Sequence, residues 1–294
     1  MKEILLPFDF SRHSQRALEL ALAGCPFGTE VSLTVVHILD AALYDRILPG
    51  RPLPPVSAVD GFLRAEVAKA SAQAAAKMAK VTVRVITGKV VPELASLLRS
   101  AAYDGAVIGG QGHGGAAEAL LGTTARRLVR QTTVPVYVVK RANATTLPKK
   151  VLCAVALDET AGAALLAGRD LVRKLDVALE TLTVIQTDGW PYAAHFPSDY
   201  TGQLAREWKD EAMKACAKAE KRLRELETEL LGELASKAQH ADCGAVASLI
   251  VRHGERYDTI LLAAQREARP ALLTFGTTIE GVLERATTDV MIAR

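Results

Sequence analysis

The sequence predicts an α/β chain of two tandem domains, each a doubly wound, five-stranded parallel sheet. Three observations carry that prediction. The chain has 294 residues, beyond the roughly 100–200 of one ordinary domain. Its second half repeats the first. Within each half, short apolar runs alternate with helical patterns, as strands joined by right-handed crossover helices do.

The repeat is read in matched segments. Ile4-Leu5-Leu6-Pro7-Phe8-Asp9 meets Val151-Leu152-Cys153-Ala154-Val155-Ala156, a shift of 147. Leu33-Thr34-Val35-Val36 meets Leu182-Thr183-Val184-Ile185, a shift of 149. Tyr103-Asp104 meets Tyr257-Asp258, and Gly122-Thr123-Thr124 meets Gly276-Thr277-Thr278, both at 154. Between the copies, residues 141–148 (RANATTLP) are short, largely polar and end in proline, as a linker does. The expected domains are 1–142 and 149–294.

Element by element, Ile4–Phe8 reads as a strand buried on both faces. Ser11 caps a helix through Ala17, Leu18, Leu20 and Ala21. Val31–Leu39 is the second strand, and after a proline-rich stretch 61–80 has helical composition. Val81–Ile86 is the third strand. Val91–Ala101 is a helix with Pro92 and Glu93 at its start, where both suit the free N–H groups. Ala106–Ile108, the helix Thr123–Gln131 and the strand Val134–Val139 complete the copy. The second copy adds a long charged helix over 203–238, with an apolar stripe of Leu204, Trp208, Ala212, Cys216, Ala219, Leu223, Leu226, Leu230 and Leu234. Such a stripe packs on its own sheet or receives a partner.

The sharpest motif is Ile108-Gly109-Gly110-Gln111-Gly112-His113-Gly114-Gly115, followed by Gly122-Thr123-Thr124. It follows a strand, and Gly122 precedes a helix. In open parallel sheets, ligands sit beyond the carboxyl ends of the strands. Glycines let backbone amides approach an anion, and a helix start adds free N–H groups. The Thr123 and Thr124 hydroxyls are further donors. Taken alone, such glycines also make an ordinary turn. No GxxxxGK[ST] sequence occurs, so the lysine and Mg²⁺ arrangement of P-loop NTPases is missing. His113 has no nucleophile or metal partner at readable spacing.

The spacing Gly109, two residues, Gly112, nine residues, Gly122-Thr123 resembles the universal stress protein (UspA) family, in particular its tandem members. Pro7-Phe8-Asp9-Phe10-Ser11, His37 after the second apolar run, and Val134-Pro135-Val136 agree. The resemblance implies an adenine nucleotide α-hydrolase-like or flavodoxin-like fold binding ATP or ADP, with or without Mg²⁺. By this likeness Asp9 hydrogen-bonds the adenosine, the backbone at Ile38 contacts adenine, and Gly109 lies against the ribose. Gly112, Gly122, Thr123 and Thr124 hold the phosphates, with Pro7, Ser11, Ile108 and Gly114 completing the nucleotide-binding set. The family's pairing of last strands implies a pseudo-twofold pair within this chain. A homodimer and a protein partner stay open.

The second copy lacks the glycines. At the shift of 154, Gly109 falls on Ala263, Gly112 on Arg266, Gly114 on Ala268 and Gly115 on Arg269. Asp9 falls on Ala156 or Asp158, depending on the shift. The bulky Arg266–Pro270 stretch is expected to fill the phosphate space, so nucleotide is expected in the first domain only.

Net charge is +5 over residues 1–140 and −2 over the rest. That is too weak a bias for nucleic acid, though it suits a small anion in the first half. Cys25, Cys153, Cys216 and Cys243 lie far apart with no CxxC spacing, and are expected to be reduced thiols of a cytoplasmic protein. No run of roughly 18 apolar residues predicts a membrane span. The expected function is a nucleotide-binding regulator of stress responses, at most slowly hydrolytic because no general base is readable. The alternative is a ligand-independent scaffold using the helix 203–238. An adenylyltransferase or pyrophosphatase needs an SGGxDS-like loop or an HxGH pair, and Pro7–Ser14 offers neither. The stretch with Trp190, Tyr192, His195 and Tyr200 reads as a surface loop.

Overall fold

The computed structural model describes residues 2–74, 80–100, 102–112, 121–187, 198–234, 236, 238–264 and 277–294. The described residues divide into two compact units. One holds those of Met1–Pro148 with Thr287–Arg294, the other those of Lys149–Gln265 with Phe275–Ala286.

The first unit is a sheet with helices between its strands. Its strands are β1 (Lys2–Pro7), β2 (Val31–Leu39), β3 (Lys80–Thr87), β4 (Gly105–Gly109) and β5 (Val136–Val139). They run parallel in the order β3-β2-β1-β4-β5, the doubly wound arrangement the alternation predicts. Ile4, Leu5 and Leu6 of β1 and Val107 of β4 are fully buried, because central strands are covered on both faces. The helices are α1 (Arg12–Leu22), α2 (Ala41–Ile47), α3 (Val56–Gln73), α4 (Val90–Arg99) and α5 (Thr123–Gln131).

The second unit repeats the scheme with β6 (Lys150–Ala154), α6 (Ala161–Leu175), β7 (Ala178–Gln186), α7 (Ser198–Leu231), β8 (Gln239–Gly244), α8 (Val246–Gly254), β9 (Thr259–Ala263) and α9 (Thr277–Arg285). Its parallel strands run β9-β6-β7-β8. The helix expected over 203–238 is α7, with a short 3-10 turn at Gly232–Leu234. Side chains of Tyr200, Leu204 and Trp208 lie outside the described set, as do residues Trp190, Tyr192 and His195 entirely.

Repeated residues have repeated structural roles. Asp104 accepts from the Glu3 amide at 2.8 Å and returns its own amide to the Glu3 carbonyl at 2.8 Å. Asp258 does the same for Lys150, at 3.0 and 2.9 Å. Each aspartate ties the start of β4 or β9 to the edge of β1 or β6.

The last strand, β10 (Asp289–Ala293), belongs to the first unit. It runs antiparallel to β5, pairing Val290 with Val138 and Ile292 with Val136. The two last strands therefore pair, as the resemblance implies, and each covers an apolar edge of the other. Asp289 is 3% exposed. Its Oδ1 accepts the Lys140 and Arg141 amides at 2.8 and 2.9 Å, and its Oδ2 accepts the Tyr137 hydroxyl at 3.2 Å. Burial pushes the Asp289 carboxyl above its ordinary value against these hydrogen bonds.

Half-buried polar groups join β7, β8 and α8. Glu180 accepts from the Tyr257 hydroxyl at 2.6 Å and lies 3.0 Å from His240 Nε2. Asp242 lies 3.1 Å from His253 Nε2 and 3.3 Å from the Arg252 guanidinium. The Tyr257 and His240 hydrogen bonds hold Glu180 below the usual carboxylate range. Burial opposes the Asp242 carboxylate, yet the His253 and Cys243 N–H hydrogen bonds hold it low as well. Carboxylates depressed in the folded state contribute stability above their unfolded pKa, and it is lost as pH falls through the folded value. The denaturation midpoint of the second unit is therefore expected to fall as pH drops below about 4, less steeply in Glu180→Gln and Asp242→Asn. Equal slopes in wild type and both variants would contradict this.

One expectation is corrected. Cys216 and Cys243 are joined Sγ to Sγ across 27 residues, while Cys25 and Cys153 are free. Separation along the chain carried no sign of the pairing, because helix α7 and strand β8 meet only in the fold. Among the described residues, no helix is long and apolar enough to cross a membrane.

Candidate functional site

The site forms where the carboxyl ends of β1, β2 and β4 meet the starts of α1 and α5. After β1, the Phe8 amide donates to the Val36 carbonyl at 2.8 Å, holding the chain beside β2 for one more residue. Asp9 follows and is exposed. Phe10 then takes φ +64°, a left-handed conformation uncommon for a residue with a Cβ. That turn brings the Ser11 amide back to Asp9 Oδ1 at 3.0 Å and starts α1.

Ser11 is the helix cap the sequence predicts. Its Oγ accepts the Ser14 amide at 3.2 Å. The same hydroxyl donates to the Gln111 carbonyl at 3.2 Å, tying the cap to the glycine loop. Ser14 Oγ donates in turn to the Ser11 carbonyl at 3.0 Å.

The glycines are required by close approach. A Cβ on Gly109 would lie 2.9 Å from the Ser14 nitrogen and 3.0 Å from the His13 carbonyl carbon. Glycine at 109 thus lets β4 pack against the backbone of α1. A Cβ on Gly112 would lie 2.7 Å from Asp9 Oδ2, so the Asp9 carboxylate rests on the loop. Gly110 donates to the Val139 carbonyl at 2.8 Å, and Gly122 donates to the Gly110 carbonyl at 2.7 Å. These bonds return the chain to the start of α5. There Gly122 provides no side-chain cap, so the first-turn amides of α5 face away from the helix with Thr123 and Thr124 beside them.

Pro7 ends β1, Ile38 is buried near the end of β2, and Ile108 is buried in β4. The described structure thus gathers Pro7, Asp9, Ser11, Ile38, Ile108, Gly109, Gly112, Gly122, Thr123 and Thr124 around the same strand ends. His113, Gly114 and Gly115 lie outside the described residues. An aromatic group stands at this end too. The Phe10 ring lies 5.1 Å from both Phe8 and His37. His37 Nδ1 is 2.7 Å from the Phe8 carbonyl, which only accepts, so that nitrogen carries the proton.

The second unit departs at the same place. Val155 donates to the Leu182 carbonyl at 2.8 Å, matching Phe8 at the shift of 147. The Thr160 amide donates to Asp158 Oδ1 at 2.8 Å, matching Ser11 and Asp9 at 149. Two residues are therefore inserted between strand end and aspartate, which accounts for Asp9 falling on Asp158. Along β2 and β7, however, the same bond sets Leu182 in the place of Val36, a shift of 146 rather than the 149 read from the sequence. The Thr160 hydroxyl also turns to Asp158, at 2.6 Å, where its counterpart Ser11 reaches across to a glycine loop. Residues 265–276, including Arg266, Ala268, Arg269 and Gly276, lie outside the described residues.

Residues 1–140 and 148–294 each match the model of the Universal stress protein family. Among solved structures, the chain resembles a universal stress protein from Archaeoglobus fulgidus at TM-score 0.66 and 21% identity, covering 99% of this chain and 98% of that one. It also resembles a functionally unknown protein from Pseudomonas aeruginosa at TM-score 0.59 and 15% identity, covering 100% and 92%. No curated protein matches the chain.

Proposed function

The chain belongs to the universal stress protein family, and on that premise we propose that it is an adenine-nucleotide-binding regulator of a stress response. Its repeats are 1–142 and 149–294, and the first alone takes ATP or ADP. The reading rests chiefly on one observation: the Asp9 carboxylate lies where a Cβ on Gly112 would be 2.7 Å away, beside the uncapped start of α5. A carboxylate suited to sugar hydroxyls and a set of amides suited to phosphates thus stand side by side.

The residues fit the group. Asp9 would accept from the ribose, and the backbone at Ile38 would meet the adenine. The amides at Gly112, Gly122, Thr123 and Thr124 would hold the phosphates, and Mg²⁺, when present, would offset their charge. Pro7, Ser11, Ile108 and Gly109 would shape the cradle, and Gly114, outside the described residues, is assigned to the same set. The nucleotide supplies charge and a rigid ligand, and its bias on any partner surface requires different affinities for two states. We place the protein in the cytoplasm. The scaffold alternative gains little from α7, whose exposed face carries the ion pairs Lys214–Glu211, Arg222–Glu225 and Arg224–Glu220, a solvated surface.

Thermal unfolding with added nucleotide tests the proposal. At roughly 100-fold excess over Kd, ATP or ADP is expected to stabilise the protein by about 3 kcal/mol, a rise of about 5–10 °C in Tm. Asp9→Ala is expected to weaken binding about tenfold or more, a loss of at least 1.4 kcal/mol, while the lost bond to the Ser11 amide lowers unliganded stability by only about 1 kcal/mol. No shift with any adenine nucleotide would remove the proposal.

A further inference from the structure

The four cysteines are of two kinds. Cys25 and Cys153 are fully buried, and burial pushes both thiols up, Cys25 to about 12 with Asp289 adding to the effect. The reactive species is the thiolate, so these two are shielded and unreactive. Cys216 and Cys243 are half-buried and bonded to each other, with Cα atoms 6.5 Å apart, a span that disulfides bridge.

The bond joins elements that are otherwise held unevenly. Strand β8 is fixed without it, through its ladder to β7 from Gln239 to Gly244, Glu180 on His240, and His253 on Asp242. The C-terminal half of α7 is fixed as well. Ala219, Leu223 and Leu231 are buried there, and the buried Glu227 carboxylate accepts from the Thr181 hydroxyl, from Ser236 at 2.8 Å and from Gln239 at 2.6 Å. Cys216 stands one turn before Ala219, the first of those buried positions, and its bond to β8 adds a covalent tie at the head of the anchored stretch.

The first unit has no such bond. By register, Leu39 faces Thr87 as Ile185 faces Cys243, since Val155 bonds Leu182 as Phe8 bonds Val36, and Thr87 is exposed. No cysteine occurs on α3. Since the same sheet is built there without the bond, the fold does not require it. Four cysteines in 294 residues are also far from the density of small scaffolds that depend on disulfides.

We propose that Cys216 and Cys243 form a reversible redox modification site that fastens the middle of α7 to β8 and steadies the turns before it under a peroxide-class oxidant. One thiolate attacks the peroxide; the O–O bond breaks, giving a sulfenic acid and an alcohol or water. The second thiolate attacks that sulfur; the S–O bond breaks, and the departing hydroxide takes a proton to become water. A dithiol reductant reverses the bond by exchange through a mixed disulfide, itself becoming the disulfide. In the reduced form the Cys243 thiol has an acceptor in the Ala212 carbonyl, 3.3 Å away.

Thiol mapping and amide exchange on the full chain test this. After dithiol reduction, alkylation of the folded protein is expected to label Cys216 and Cys243 but neither Cys25 nor Cys153. In a second sample, hydrogen peroxide added after reduction and before alkylation is expected to prevent both labels and yield one cross-linked peptide pair, lighter by two hydrogen atoms. Oxidation is expected to slow amide exchange over 198–215 by about tenfold or more, with no redox-dependent change in Cys216→Ser or Cys243→Ser. Sulfinic acid at either cysteine without the cross-link, or exchange in the wild-type chain that ignores redox state, would overturn the proposal. The wild-type arms stand even if a variant fails to fold.

Discussion

Replacing Asp289 by alanine is expected to cost the first unit about 3 kcal/mol or more, because buried donors are left without an acceptor. The Lys140 and Arg141 amides and the Tyr137 hydroxyl all converge on this carboxylate, which is 3% exposed. They meet where β5 ends and β10 begins, so their loss weakens the docking of the last strand. Asp289→Asn is expected to cost only about 1 kcal/mol or less. Its amide oxygen keeps both backbone donors, and its NH₂ faces a phenol oxygen able to accept. The raised carboxyl adds a pH signature. Between the unfolded value near about 4 and the higher folded value, the folded state holds more protons, so this contribution to stability declines as pH rises. Urea titrations of both variants across that window check the account. Alanine and asparagine variants of equal stability would contradict it.

Gly109→Val is expected to remove the nucleotide response and to destabilise the first unit by about 2–3 kcal/mol. The reason is backbone. A Cβ there meets the Ser14 nitrogen at 2.9 Å and the His13 carbonyl carbon at 3.0 Å, and neither moves without shifting α1. Because Ser11 at the head of α1 also holds the Gln111 carbonyl, such a shift disturbs the loop as well. Gly112→Ala differs in kind. Its Cβ meets Oδ2 of the exposed Asp9 carboxylate, a side-chain end that gives way more readily than backbone while Oδ1 keeps the Ser11 amide. That variant is expected to keep the unliganded Tm within about 2 °C, a shift of less than roughly 1 kcal/mol, while losing nucleotide affinity. Denaturation and binding measured on both variants separate packing from recognition. Destabilisation in Gly112→Ala matching that of Gly109→Val would defeat the distinction.

Much of this was legible in the sequence because each feature leaves a local mark. Continuous apolar runs located β1 and β2, and Gly122-Thr123 located the start of α5. The Tyr103-Asp104 and Tyr257-Asp258 pairs marked a clamp used in both units. What stayed hidden depends on contacts between distant elements. Helix α2 buries none of its residues, so no apolar stripe announces it; its one signal is Asp40, which caps the Ala42 and Leu43 amides. The stripe read along α7 holds at Ala219 and Leu223, which are buried, but then runs through half-buried Leu226 and Leu230, whereas the fold buries Glu227 and Leu231. Glu227 escapes sequence reading because its partners come from β7, β8 and the turn between, which alone make a buried carboxylate tolerable. The closeness of Gly109 to α1 is hidden likewise, since a glycine that admits a ligand and one that admits a helix look the same in sequence.

Calorimetric titration of ATP into the intact chain, beside Gly112→Ala, reaches the central proposal most directly. One nucleotide per chain, lost or weakened at least about tenfold in the variant, is the predicted result. Two sites per chain, or one that Gly112→Ala leaves at full affinity, would place recognition elsewhere and contradict the account.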